Sequence, residues 1–452
     1  MSIDTDRELF HYFKQYTIDR IIENCKLTRH CRTETGQRTP HTIVASTSKY
    51  DPDYWYEWVR DSAVVVNMMM DLMTTHTIDV VRGSEMMSII KDYVENHLKF
   101  QEFAVSNTQI SNQYCDFTVT LGEPKFNTDI TVYDRPWGRP QNDGPALRAI
   151  GMIKFAKYML DRKADQHIKE SDLQYIKTKL YDSKWPKTES LIKRDLEYVA
   201  YEWHKRCFDL WEEIEGLHFY TLMVQQKALI MGAELALRLG DRYASEFYKS
   251  TAKKINDFIR SNFYRDGRIM SSIDIVNHHS KERYIDFSVL LGFIHTNTPF
   301  NEELINSVAD AVSMFREAYN VNKIDVLRHG TTNQFPHLLV GRYQNDKYYG
   351  GNPWVLTTAS LANMLLTVDL TKLDQKRLSD KAQSLFGLKN SNCRSLGVGI
   401  IKDLIDIEEL NENSGLSFAE QIDRNTLAYR SADKLTWNYV EILRALTHVN
   451  DK

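Results

Sequence analysis

Three carboxylates fall close together at Asp209, Glu212 and Glu213, in the segment Cys207-Phe208-Asp209-Leu210-Trp211-Glu212-Glu213. They stand against a tryptophan and between apolar neighbours. Dense charge beside aromatic bulk is a poor way to build a core, but it can build an acid. Burial against Trp211 and the like charge of Glu213 both favour the protonated form of Glu212. A proton held at neutral pH is available to a leaving oxygen. A second apolar-flanked carboxylate, Glu420, stands in Ser417-Phe418-Ala419-Glu420-Gln421-Ile422. Two such groups facing one cleft are what hydrolysis of a glycosidic bond requires. A solvated acidic patch at a helix start is the plainer reading of 209–213, and it stays open at this point.

Three further segments have residue types suited to binding hydroxyls. Tyr54-Trp55-Tyr56-Glu57-Trp58-Val59-Arg60-Asp61 puts a donor fork beside an acceptor just before a helical run, after an aromatic cluster. A capping Asp with a paired Arg is the alternative there. Trp137-Gly138-Arg139-Pro140-Gln141-Asn142-Asp143-Gly144-Pro145 is a stiff turn whose Trp137 can stack on an apolar sugar face or pack on its own loop. In Gly341-Arg342-Tyr343-Gln344-Asn345-Asp346, Arg342 and Asp346 can engage hydroxyls or form a surface ion pair. Pro353, further on, suits the first turn of the next helix.

Other chemistries fit less well. There is no His-Glu-x-x-His, paired Cys-x-x-Cys or EF-hand loop, so neither a metal nor another cofactor is expected; His278 and His279 read as polar loop residues. Glycine-rich phosphate loops and the Gly-x-Ser-x-Gly elbow are missing too. A net charge of −4 gives no pull toward nucleic acid or an anionic membrane. The 24 tyrosines and 8 tryptophans suit sugar clefts, although any one of them can equally be core. Five scattered cysteines form no disulfide framework. The amino terminus has no apolar leader, no Asn-x-Ser/Thr acceptor occurs and no apolar run is long enough to span a membrane. A cytoplasmic monomer is therefore expected, with a secreted protein trimmed of its leader as the alternative.

The elements that must position these residues are helical. Apolar positions recur at three and four over 6–24, 62–73, 83–100, 146–161, 218–239, 243–262, 302–318, 355–367, 372–386 and 435–447. Strand-like alternation is confined chiefly to 114–121. Long Gly/Pro/Asn/Asp-rich loops are read at 121–145, 263–280, 319–353 and 387–398, and function tends to sit on such loops. No linker interrupts the chain, so residues 1–452 are expected to form one catalytic domain. Similar paired helices suit an all-α toroid, and the lack of a fixed repeat argues against a solenoid.

These segments, in this order, resemble the fungal and yeast glucoamylases of glycoside hydrolase family 15. The resemblance is carried by DPDYWYEWVRDS, WGRPQNDGPALRA, FDLWEEIEG with VQQKALIMGAELA, GRYQNDKYYGGNPW, and SFAEQID with LTWNYVEILRA, from about Tyr50 to Ala445. It implies an (α/α)6 barrel with its site in the funnel at one end. The implied reaction is inverting release of β-glucose from non-reducing ends of α-1,4 glucans such as starch, maltodextrin or glycogen, with slower action on α-1,6 branches. Glu212 is implied as general acid and Glu420 as general base, about 6.5–9.5 Å apart with a water between. Arg60, Asp61 and Arg342 are implied to hold the terminal glucose, and Tyr54 and Trp137 to support the charge-bearing ring. Glu213 is implied on the leaving-group side, and Trp58, Asp209, Trp211, Asp346, Gln421 and Trp437 at further pocket positions.

Two departures, Asn142 for the usual Arg and Ile214-Glu215 for Val-Asn, bear on outer-subsite preference. The chain ends soon after Trp437, so no starch-binding domain is expected. A catalytically silent sugar-binding relative, a same-barrel hydrolase of dextran or trehalose, and a structural helical protein are the other readings.

Overall fold

The computed structural model describes residues 3–28, 41–106, 121–164, 167–183, 190–276, 285–323, 338–387, 389–411 and 417–449. Six helices form a closed inner ring: α2 (Val59–Thr74), α4 (Asp143–Asp161), α7 (Phe219–Arg238), α9 (Ser288–Thr296), α11 (Val355–Thr367) and α14 (Thr436–Leu446). Each packs on the next in that order, and α14 packs back on α2. Helices α1 (Ile3–Asn24), α3 (Val80–Ser106), α6 (Leu191–Glu202), α8 (Arg242–Asn262), α10 (Glu302–Ala318) and α13 (Asn390–Leu410) alternate with them along the chain and form the outer layer. The fold is an (α/α)6 barrel, as expected. Short helices α5 (Glu170–Tyr175) and α12 (Asp380–Phe386) decorate it.

Residue patterns separate the layers. In α8, Ala244, Tyr248, Ala252, Ile255 and Ile259 make one buried stripe, which is what a helix with one wet face requires. In α11 every residue from Val355 to Leu366 is buried, because that helix meets neighbours on all sides.

The expected helix over 372–386 is broken. Asp369, Asp374 and Ser379 each accept a backbone N–H two or three residues on (Thr371, Lys376 and Ala382), capping two short 3-10 turns and then α12. The expected loop at 387–398 is largely α13, whose Asn390-Ser391-Asn392 start and paired glycines obscure its period. Gly397 lies so close to α11 that a Cβ there would stand 2.9 Å from Leu366 and 3.1 Å from the Ala362 carbonyl, so tertiary contact overrides weak propensity. Helix α9 is short and apolar all round, which leaves no amphipathic signal. Helix α6 is amphipathic and lies outside the periodic stretches read from sequence. The alternation read at 114–121 lies, apart from Leu121, outside the described residues. No helix among the described residues is long and apolar enough to cross a membrane.

Short strands at one end of the barrel carry the loops. Strand β1 (Tyr56–Trp58) pairs antiparallel with β2 (Lys125–Asn127), setting Trp58 opposite Lys125. Strands β3 (Cys207–Phe208), β4 (Glu215–His218) and β5 (Ser272–Val276) form a three-stranded sheet, and β6 (Gln421–Ile422) pairs with β7 (Tyr429–Arg430).

Candidate active site

A cavity of about 500 Å³ opens at this end, where the N-termini of inner helices meet. Strand β1 runs straight into α2, with Trp58 as the N-cap residue and Arg60 and Asp61 in the first turn. Alternation along β1 points Trp58 to the cavity and Glu57 to the opposite side, where its carboxylate meets His97 at 2.9 Å. Trp354 is the N-cap residue of α11, and Trp437 lies in the first turn of α14. Buried Arg60, Leu356 and Trp437 thus come to line one cavity.

Glu212 stands on a tight turn between β3 and β4, with φ of +64°. A non-glycine residue holds that conformation only when its surroundings over-determine it. They do so here: the Asp209 carboxylate accepts the backbone N–H groups of Glu213 and Ile214 at 2.8 and 2.9 Å, and Glu212 N–H bonds to the Asp209 carbonyl. The Glu212 carboxylate accepts from Trp58 Nε1 at 2.8 Å and from Gln141 Nε2 at 2.9 Å, both on Oε1. Arg60 Nη2 lies 3.6 Å from the same oxygen, and Arg60 Nη1 donates to Gln141 and Asp143. Burial pushes the Asp61 carboxyl up to about 7 against the pull of Arg60.

Glu213 faces away from Glu212. It accepts from Arg342 Nη2 at 2.8 Å and from the Tyr343 hydroxyl. The like-charge argument made for the 209–213 segment is corrected accordingly, since Glu213 pairs with Arg342 and Tyr343. Arg342 also forks onto Asp346 at 2.7 and 2.8 Å and stacks over Trp354, 4.8 Å from its ring centre.

Glu420 lies just before β6, fully buried, and accepts from Ser431. Burial pushes its carboxyl up to about 7, with Ser431, Arg342 and Tyr54 opposing the shift. The Tyr54 hydroxyl bonds to that of Tyr348 at 2.9 Å.

Of the residues singled out from sequence, Tyr54, Trp58, Arg60, Asp61, Trp137, Trp211, Glu212, Glu213, Arg342, Glu420 and Trp437 line this one cavity. Asp209, Asp346 and Gln421 do not. Asp209 ties the Glu212 turn, Asp346 fixes Arg342, and Gln421 accepts from Asn352 at 3.1 Å while steadying Glu420. Each spends its polar atoms on backbone or side-chain partners one layer behind the wall. Asn142 likewise turns away and accepts from Tyr198 at 2.6 Å, so this departure sits behind the site and not in an outer subsite. Lys125, Tyr348, Trp354 and Gln141 were not picked out as site residues. The last three lie inside quoted motifs, whereas Lys125 leaves no local signal. Among the described residues no cluster of three His, Cys, Asp or Glu side chains is placed to hold a metal.

The sequence profile of glycosyl hydrolases family 15 matches residues 33–447. The chain belongs to this family. It is 31% identical to Glucoamylase 1 of Rhizopus oryzae over 89% of its length and 66% of that protein's. It is 32% identical to the glucoamylase of Blastobotrys adeninivorans, covering 90% of this chain and 66% of the relative. The family 15 glucoamylase of Hypocrea jecorina superposes with a TM-score of 0.77 at 25% identity, over 98% of this chain and 72% of that structure. The chain therefore spans about two thirds of the length of these curated relatives.

Proposed function

We propose that this family 15 chain is an inverting, exo-acting α-glucosidase that releases β-D-glucose from non-reducing ends of α-1,4 glucans. The observation that carries the reading is that Glu212 and Glu420, from segments about two hundred residues apart in the chain, line one cavity. Glu212 protonates the glycosidic oxygen as the C1–O bond breaks, and Glu420 takes a proton from the water that attacks the opposite face. Its raised proton affinity makes Glu420 the better base. Arg60, Asp61 and Arg342 hold the terminal ring, Tyr54, Trp58, Trp137, Trp211 and Trp437 wall it, and Glu213 faces the leaving sugar.

The deciding experiment is the anomeric configuration of the first glucose released from maltotriose, followed by NMR before mutarotation. β-Glucose is expected; α-glucose would rule out the single displacement. Rates on maltose, isomaltose and trehalose compared side by side separate this reading from a hydrolase of another α-glucoside.

Arg342 supplies a second test. Lysine keeps the charge but loses the planar fork on Asp346 and Glu213. Arg342→Lys is expected to cost roughly 1.5–3 kcal/mol of binding, about a ten- to hundredfold rise in KM for maltose. An unchanged KM removes Arg342 from sugar recognition. The cytoplasmic reading draws support from the buried free thiols of Cys25, Cys207 and Cys393.

A further inference from the structure

The ammonium of Lys125 sits inside a box of four aromatic rings. Its Nζ lies 3.3 Å from the ring centre of Trp137, 4.0 Å from Tyr133, 4.4 Å from Trp58 and 4.6 Å from Tyr56. The rings close on one another edge to face: Tyr56 on Trp58, Trp58 on Trp137, Trp137 on Tyr133 and Tyr133 on Tyr56, at 5.2–6.2 Å. Lys125 is 1% exposed, and among the described residues it forms no ion pair, yet it borders the cavity. A methionine would fill such a box without the cost of burying a charge. One wall of the box, Trp58, donates its N–H to Glu212.

We propose that Lys125 is a positioning residue for acid catalysis. Its fixed charge, felt directly by Glu212 and through the polarised Trp58 indole, offsets the negative charge that builds on Glu212 as the proton leaves. This rests on Glu212 being the acid. In that step Glu212 loses its proton to the glycosidic oxygen, the C1–O electron pair goes with that oxygen, and water supplies the new bond at C1 while its proton passes to Glu420. A cation near Glu212 favours the charge it carries once the proton has left, so the cation matters most where the leaving oxygen needs that proton. The charged groups facing Lys125 are Glu212, Arg139, Asp53 and Glu123. Those facing Glu212 are Arg60, Asp61 and Lys125, with Glu213 turned to Arg342. Burial lowers the Lys125 ammonium to about 8, and Glu212 opposes that shift.

The test compares maltose with α-D-glucosyl fluoride, whose leaving group departs with little help from a proton. Lys125→Met, Lys125→Arg and Glu212→Gln are measured on both. Turnover of maltose is divided by turnover of the fluoride for each protein, so any loss of folded enzyme cancels. In K125M this ratio is expected to fall about tenfold or more, while K125R stays closer to wild type. If K125M yields no folded protein, Lys125→Gln carries the test. Equal losses on both substrates would mean that Lys125 only props the rings, overturning the proposal. A ratio that falls in E212Q but not in K125M sinks the Lys125 role alone. A ratio that stays level in E212Q sinks the assignment of the acid itself.

Discussion

With glutamine in place of Glu212, maltose turnover is expected to fall by about 10²–10⁴-fold, the usual contribution of a positioned general acid. The amide oxygen of glutamine can still accept from Trp58 and Gln141 as Glu212 Oε1 does, and the turn tied by Asp209 is untouched. The pocket therefore persists while the transferable proton is gone. Sugar binding, measured by calorimetry with a slowly turned-over maltooligosaccharide, is expected to change little, so the loss appears in kcat. Near-normal turnover of maltose by this variant would remove Glu212 as the acid.

Glu420→Gln is expected to abolish nearly all turnover, again by about 10²–10⁴-fold, because no group remains to take the proton of the attacking water. It carries a second, opposite effect on stability. The folded protein raises the Glu420 carboxyl from 4.5 to about 7 through burial. Below pH 4.5 the carboxyl is protonated in both folded and unfolded chains and costs nothing. Between 4.5 and 7 the unfolded chain ionises freely while the fold resists. Above 7 the full penalty is present, about 3 kcal/mol at 1.36 kcal/mol per pKa unit. Glutamine avoids that penalty, so E420Q is expected to melt a few degrees above wild type at pH 8 and together with it at pH 4. Differential scanning calorimetry at the two pH values checks this. A variant less stable than wild type at pH 8 would show that the Glu420 carboxylate is well solvated by its partners. Addition of azide, a nucleophile that needs no base, should restore C1 substitution in E420Q and yield the β-glucosyl azide if Glu420 serves only as base.

Much of the site was legible because its residues cluster in short motifs with unusual composition. The acidic turn Asp209–Glu213, the Arg60-Asp61 pair and the stiff loop at Trp137 all reach one cavity. Burial and partners were not legible. Asp346 looks like a sugar ligand in sequence because carboxylates bind hydroxyls, and the family resemblance puts Asp209 at a pocket position. The fold instead spends them on a backbone turn and on a guanidinium, because tight turns and buried cations need acceptors. Adjacent Glu212 and Glu213 suggested mutual repulsion, but the left-handed backbone of Glu212 itself sends the two side chains to different partners.

By itself the sequence determined the all-α class, the acid and base candidates, and most of the cavity wall, because helical periodicity and local motif chemistry are written in neighbouring residues. It missed α9 and α13, where packing replaces propensity, and it left α6 unread. Only the tertiary structure decided which carboxylates face the cavity, and only it found Lys125. That lysine sits in an unremarkable stretch, and it acquires a role when β1 and β2 pair and set it opposite Trp58. Strand register and ring closure join residues some seventy positions apart in the chain, and no local pattern encodes that distance.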